Sequence, residues 1–66
     1  MPRYKFKIWQ MVKIKNSETM YNDKIGCIIE REHPERLLEP NFYKIVVCGK
    51  PDYPVWIRET CIERFE

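Results

Sequence analysis

Apolar and charged side chains alternate with a period of two in the opening segment of this chain. The apolar positions are Tyr4, Phe6, Ile8, Val12 and Ile14, with lysines between them. Because successive side chains of a β-strand point to opposite faces, this pattern predicts an extended segment with one buried face. Residues 9–11 interrupt the alternation without Gly or Pro, which indicates a bend or bulge between two short strand pieces.

Four more short segments have the composition of β-strands. Residues 42–48 give the strongest signal, because β-branched and aromatic side chains dominate them. Residues 24–30, 55–58 and 61–65 are segments of the same kind. Gly26 lies inside the first of these three, where glycine commonly marks a bulge or a close approach of two backbones. The sequence therefore predicts five strands.

The segments between the strands are rich in turn-forming residues. We predict a polar loop at residues 16–23, a charged loop at 31–41, and turns at 49–54 and 59–60. Within the charged loop, residues 34–39 have the composition of one helical turn that begins at a proline. Such a turn is too short to cover a sheet.

Five short strands without a covering helix leave few ways to bury an apolar face. A sheet this small must curl on itself, which predicts an all-β, five-stranded barrel formed by residues 1–66 as a single domain. The expected core consists of the apolar side chains Val12, Ile14, Ile25, Ile28, Tyr43, Ile45, Val47, Ile57 and Ile62.

Composition excludes several classes of protein. With 44% hydrophobic and 33% charged residues, the sequence is typical of a globular chain. It has no apolar run of about 20 residues, so we expect no membrane insertion. It also lacks the apolar stretch and cleavage site of a secretory leader. Three widely spaced cysteines, Cys27, Cys48 and Cys61, favour reduced thiols in a cytoplasmic or equally reducing compartment.

Few residues are suited to catalysis or metal binding. His33 is the only imidazole and lies in the charged loop, where an exposed histidine is expected. His33 and the three cysteines lack the close pairwise spacing of zinc sites. Two glycines are too few for a phosphate-binding loop. We therefore expect no enzyme, no metal or other cofactor and no small-molecule substrate, and we expect buried or half-buried thiols.

A lysine stripe is the first candidate binding surface. It comprises Lys5, Lys7, Lys13 and Lys15. No acidic residue occurs up to position 15, whereas the remaining residues carry seven bases and ten acids. Lysines beside aromatic rings suit single-stranded nucleic acid, because ammonium groups pair with phosphates and rings stack on bases. Lysines on an exposed strand also discourage edge-to-edge pairing, so a purely structural role is the alternative.

An aromatic set is the second candidate surface. It comprises large rings and one arginine, namely Trp9, Tyr21, Tyr53, Trp56 and Arg58. Trp, Tyr and Arg are enriched among the residues that dominate protein–protein binding. In so small a domain, the alternative is that some of these rings simply cap the core.

Three segments resemble the small SH3-like barrels, in particular KOW-type domains. Residues 6–15 are similar to the opening motif Phe-Lys-x-Gly-Asp-x-Val-x-Val-Lys, although Trp9-Gln10 stands in place of Gly-Asp. Residues 24–30 resemble the glycine-containing second strand, and residues 55–63 resemble the final strand, 3₁₀ turn and last strand. The same layout occurs in photosystem I reaction-centre subunit IV and in subunit S of the photosynthetic NAD(P)H dehydrogenase-like complex.

The resemblance implies a barrel with a long first loop, and a role in binding RNA, polymerase or a larger protein complex. A fold does not choose among such partners. We expect a non-enzymatic adaptor or accessory subunit that docks on a protein through the aromatic set, with the lysine stripe steering an acidic partner. The alternative is a KOW-like protein that binds RNA or single-stranded DNA through the lysine stripe.

Overall fold

The computed structural model describes residues 3–35 and 39–65. Its strands are β1 (Met11–Ile14), β2 (Ile25–Glu32), β3 (Phe42–Val47), β4 (Lys50–Arg58) and β5 (Ile62–Arg64), and a 3₁₀ helix (Glu59–Cys61) joins β4 to β5. The predicted all-β architecture with five strands and a short 3₁₀ turn before the last strand is confirmed. The described residues include no helix with the length and apolar character that a membrane crossing requires.

All five strands belong to one antiparallel sheet with the order β4-β3-β2-β1-β5. β1 therefore lies between β2 and the last strand. A register shift between Ile28 and Glu30 interrupts the pairing of β2 with β3, and a bulge of this kind bends and twists a strand. β4 and β5 form the two edges and do not pair with each other, so the sheet is not closed into the barrel that the sequence predicted.

Alternating side chains place one face of the sheet in the core. In β3, the buried residues are Tyr43, Ile45 and Val47. The residues that alternate with them, Phe42, Lys44 and Val46, are half-buried on the opposite face. The buried apolar residues are Phe6, Val12, Ile14, Ile28, Tyr43, Ile45, Val47, Ile57 and Ile62. The core expected from the sequence does not include Phe6. It does include Ile25, which is half-buried at the first position of β2.

The strand predicted at residues 4–8 is wrong, because the backbone of this segment does not pair with a neighbouring strand. Its backbone N–H groups bond to a side chain instead. The backbone N–H groups of Lys5 and Phe6 donate to the hydroxyl of Tyr43 at 3.0 and 3.2 Å. The Phe6 ring is 2% exposed and packs edge-on against the Tyr43 ring, with 5.5 Å between centroids. Arg31 Nη1 donates to the Phe6 carbonyl at 3.3 Å. The segment before β1 thus adds the Phe6 ring to the apolar side chains that the sheet places in the core.

Gly26 lies where two backbones come close together. A Cβ atom there would lie 2.4 Å from Ile45 Cγ2 and 2.8 Å from the Val46 carbonyl oxygen. The predicted close approach is therefore confirmed. The bulge of β2 lies further along the strand, between Ile28 and Glu30.

The turn predicted at residues 49–54 is shorter than expected. Cys48 and Gly49 form the turn between β3 and β4, and Lys50 already belongs to β4. Gly49 has a φ of 88°, which glycine adopts without steric cost. The helical turn predicted at residues 34–39 includes residues 36–38, which lie outside the described residues.

Candidate protein-binding surface

The face of β3 and β4 that points away from the core carries a mixed apolar and basic surface. We name it the β3–β4 outer face, and its members are Phe42, Lys44, Val46, Trp56 and Arg58. Of these five residues, only Trp56 and Arg58 are candidates from the sequence alone. The alternation within residues 42–48 was the signal for the other three, since residues with a period of two share one face.

Trp56 and Arg58 stand at the edge of this face. Trp56 is 45% exposed and lies opposite Lys44 in the register, while Arg58 is exposed and lies opposite Phe42. Lys44 Nζ contacts Glu30 Oε2 at 3.0 Å. The guanidinium of Arg58, in contrast, has no ionic or hydrogen-bonding partner among the described residues. The face therefore offers a wide ring and an unengaged bidentate donor side by side.

Trp9 lies apart from this face, in the segment before β1. Its N–H donates to the Ile28 carbonyl at 2.6 Å, and the Ile28 N–H donates to the Gln10 carbonyl at 3.1 Å, so the backbone is fixed to β2. Its φ is 72°, in the left-handed region that bulky residues avoid, and its side chain is 72% exposed. Glycine adopts such a φ without the steric cost that a side chain brings.

Replacing Trp9 by Gly should raise the free energy of unfolding by about 1 kcal/mol, because glycine adopts a left-handed φ without the steric cost borne by other residues. Trp9→Ala keeps that backbone cost and removes the same ring, so it serves as the matched control and should stabilise less. Urea unfolding followed by circular dichroism measures both changes. A loss of stability in Trp9→Gly relative to the parent chain would show that the ring contributes to packing.

Tyr21 and Tyr53 occupy two further places. Tyr21 lies in the first loop (residues 15–24), is half-buried and packs against the core. Tyr53 lies in β4 and is 69% exposed. Within the described ranges, the two ring contacts join Tyr43 to Tyr4 and to Phe6, not members of the aromatic set to one another. The set is therefore distributed over the first loop, the segment before β1 and β4.

The four lysines of the stripe do not share one strand. Lys5 and Lys7 lie in the non-strand segment before β1 and are exposed. Lys15 Nζ lies 2.6 Å from Asp23 Oδ1, and Lys13 Nζ lies 4.0 Å from the same atom. The hydrogen bond from Lys15 holds the pKa of Asp23 below its ordinary value of 3.8. Half of the stripe is thus engaged by a carboxylate of the first loop.

A polar cluster of Asn41, Tyr43 and Glu59 was not identified from the sequence. Glu59 Oε2 accepts hydrogen bonds from the Tyr43 hydroxyl, from Asn41 Nδ2 at 3.0 Å and from the Lys5 N–H at 3.1 Å. Asn41 is 5% exposed, and its Nδ2 also donates to the Arg3 carbonyl. Because Nδ2 donates, Oδ1 of Asn41 accepts from Nδ1 of His33. The cluster attaches the segment before β1 to β3 and to the 3₁₀ helix.

The polar cluster predicts two pH ranges of lost stability. Burial, and then the bond to Glu59, raise the pKa of Tyr43 from 10.0 to about 12. The stability that the neutral Tyr43 contributes is therefore fully present below pH 10 and is lost as the pH rises through 12. Burial opposes ionisation of Glu59, but the bonds from Tyr43, Asn41 and Lys5 outweigh it and hold the pKa below 4.5. Its contribution is present above pH 4.5 and is lost as the pH falls through that lowered value.

Thermal unfolding measured from pH 2 to pH 12 tests these directions, with Tyr43→Phe and Glu59→Gln as comparison variants. Tyr43→Phe should flatten the alkaline decline, and Glu59→Gln should flatten the acid decline relative to the parent chain. Unchanged slopes in both variants would contradict an ionised Glu59 bound to a neutral Tyr43.

The thiols and the imidazole do not converge. Cys27 and Cys61 are half-buried, as expected, whereas Cys48 is exposed because it lies in the turn between β3 and β4, which corrects the expectation for that residue. His33 is half-buried and not exposed, since Asn41 accepts from its ring. The described part of the chain contains no group of three or more His, Cys, Asp or Glu side chains arranged to hold a metal ion.

Comparisons with models of protein families, with curated proteins and with solved structures find no match to this chain.

Proposed function

We propose that this chain is a non-enzymatic binding module, an adaptor or accessory subunit that docks on a protein partner through the β3–β4 outer face. The observation that carries the proposal is the pair of Trp56 and Arg58 on one exposed strand face, with the arginine unengaged by any described acid. Trp and Arg are the residue types whose truncation most often costs a protein complex its affinity. The flanking Phe42 and Val46 supply apolar contact area around them.

We further propose that the fold is an SH3-like barrel. Three features support this class: β1 pairs with both β2 and β5, a 3₁₀ helix precedes the last strand, and a long loop follows β1. In this proposal the segment before β1 completes the barrel, since Phe6 belongs to the core and Tyr4 and Ile8 pack against it. The resemblance of residues 6–15 to the KOW-type motif is in keeping with that position.

Site-specific photo-cross-linking in the native cell tests the docking surface. A benzophenone side chain placed at position 56 should form a discrete adduct with one protein. The matched control is position 65, because Phe65 is 47% exposed and Trp56 is 45% exposed. Arg58→Glu should reduce the adduct from position 56 while the circular dichroism spectrum and melting temperature stay unchanged. Equal yields from positions 56 and 65, or an adduct with nucleic acid, would contradict the proposal.

Nucleic-acid binding is the second candidate function. It is favoured by the exposure of Lys5 and Lys7 in the same segment as Trp9, whose ring is 72% exposed. Engagement of Lys13 and Lys15 by Asp23 weakens it. Titration with labelled single-stranded and double-stranded oligonucleotides at low salt decides the matter, since phosphate contacts give an affinity that falls steeply with salt. Lys7→Glu with Lys13→Glu should abolish such binding if it occurs.

A further inference from the structure

A cavity that is open to solvent lies between the first loop and the turn that joins β3 to β4. Its volume is about 200 Å³. The first loop contributes Met20, Tyr21 and Lys24 to its lining, and the turn region contributes Val47, Cys48, Gly49 and Lys50. A dry cavity of about 150 Å³ accommodates one benzene ring. The space therefore suits a single aromatic or branched aliphatic side chain.

Both walls of the cavity are fixed by the backbone. The Cys48 N–H donates to the Ile25 carbonyl at 2.8 Å, which attaches the turn to the start of β2. The Asp23 N–H donates to the Ile14 carbonyl at 2.7 Å and the Ile14 N–H donates to the Lys24 carbonyl at 2.9 Å, which holds the end of the first loop against β1. Because these walls are already ordered, a ligand binds with a smaller entropic cost than at a flexible site.

Both charged residues that line the cavity are lysines. Lys24 and Lys50 line it and are exposed, and neither ammonium group contacts a carboxylate among the residues that the structure describes. Lys13, Lys15 and Lys44, in contrast, each have such a contact. Unpaired lysines beside an apolar cavity favour a ligand that carries carboxylates next to an apolar group.

We propose that this cavity is the anchor site for an acidic peptide segment of the partner protein. One Phe-like or Leu-like side chain of that segment enters between Tyr21 and Val47, and the carboxylates on either side of it pair with Lys24 and Lys50. Met20, which is 77% exposed, adapts to the shape of the entering side chain. The inference rests on the proposed function, to which it adds a second contact and the chemistry of the partner.

The test uses three acetylated pentapeptides with the parent protein labelled with nitrogen-15. Glu-Asp-Phe-Asp-Glu should shift the amide resonances of Tyr21, Gly49 and Lys50 with a dissociation constant near 1 mM or tighter, about −4 kcal/mol. Glu-Asp-Ala-Asp-Glu lacks the anchor and should bind at least about tenfold more weakly, since burial of one large apolar side chain contributes at least that factor to the affinity. Lys-Arg-Phe-Arg-Lys should not bind.

Cys48 provides an independent readout because its exposed thiol lines the cavity. At a concentration of the Phe peptide of about twice its dissociation constant, alkylation of Cys48 by iodoacetamide should slow about threefold, as mass action requires. Peptide mapping by mass spectrometry measures this rate in the unmodified chain, with Cys27 and Cys61 as internal references whose rates should not change.

Charge reversal separates local pairing from net charge. Lys24→Glu with Lys50→Glu should abolish binding of the acidic peptide and create binding of Lys-Arg-Phe-Arg-Lys. The matched control, Lys5→Glu with Lys7→Glu, changes the net charge equally at exposed lysines that do not line the cavity and should retain binding of the acidic peptide within about threefold, because exposed charges at a distance are screened.

Three results would overturn the inference: no resonance shift with the Phe peptide, equal binding of the Phe and Ala peptides, or protection of Cys48 by a single-stranded oligonucleotide but not by the acidic peptide. If any of these occurs while position 56 still cross-links to a protein, the anchor site is wrong and the proposed function stands. If position 56 fails to cross-link while the peptide binds at the cavity, the docking face is wrong and the anchor site stands.

Discussion

Phe6→Ala should lower the free energy of unfolding by about 3–5 kcal/mol, which is the usual cost of truncating a buried phenylalanine. The ring is 2% exposed and packs against Tyr43, yet it comes from a segment that belongs to no strand. A chain of 66 residues has a total stability of about 3–10 kcal/mol, so the substitution should remove a large fraction of that stability. Urea or thermal unfolding followed by circular dichroism measures the change.

Phe65→Ala is the matched control for that substitution. It removes the same side chain from a position that is 47% exposed, and surface substitutions usually change stability by no more than about 0.5 kcal/mol. Similar losses in the two variants would show that the segment before β1 contributes little to the core, and the proposed completion of the barrel by Phe6 would then be wrong.

Gly26→Ala should cost about 2–3 kcal/mol, because a new methyl group in a packed interior forces backbone or side chains to move. The added Cβ would lie 2.4 Å from Ile45 Cγ2, and moving the Ile45 side chain would leave the 2.8 Å approach to the Val46 carbonyl unrelieved. The clash with the backbone of β3 is the larger part of the expected loss, since a carbonyl in a strand ladder cannot rotate away. Equilibrium unfolding in urea gives the magnitude.

Gly49→Ala is the control for general effects of replacing glycine. No atom lies within 4 Å of the added Cβ, so its cost is confined to the φ of 88° and should be about 1 kcal/mol. If the two substitutions cost the same, or if Gly26→Ala costs less, then β2 and β3 are not packed as closely at this point as the structure has them.

The interior of the fold was largely predictable because strand alternation and burial have the same physical origin. Side chains with a period of two point to one face, and only one face of such a small sheet can be hidden from water. The spacing of Val12 and Ile14 alone therefore predicts that both lie in the core, where the structure has them. The same alternation extends one predicted strand too far, since residues 4–8 alternate equally well but are not paired with any strand.

The candidate surfaces were less predictable than the core. Exposed residues leave no periodic pattern in the sequence that shows where they lie. Trp9, Tyr53 and Trp56 are therefore candidates by residue type and not by location. Their exposure is as expected, but the structure distributes them over different elements. Lys13 and Lys15 show the same limit, because the sequence separates them from Asp23 by most of the first loop and the structure brings the three together.

The sequence by itself determined the class of the fold, the number of strands and most of the apolar side chains that face inward, because these follow from local periodicity and from the short length of each segment. Tertiary structure alone decided that Phe6 joins the core, that Glu59 binds Asn41 and Tyr43, and that a cavity open to solvent lies between the first loop and the turn after β3. Each of these depends on contacts between residues that are far apart in the sequence, 16 positions for Tyr43 and Glu59 and 37 for Phe6 and Tyr43. No local pattern encodes such a distance. The surfaces proposed to bind the partner are also formed by residues that are far apart in the sequence.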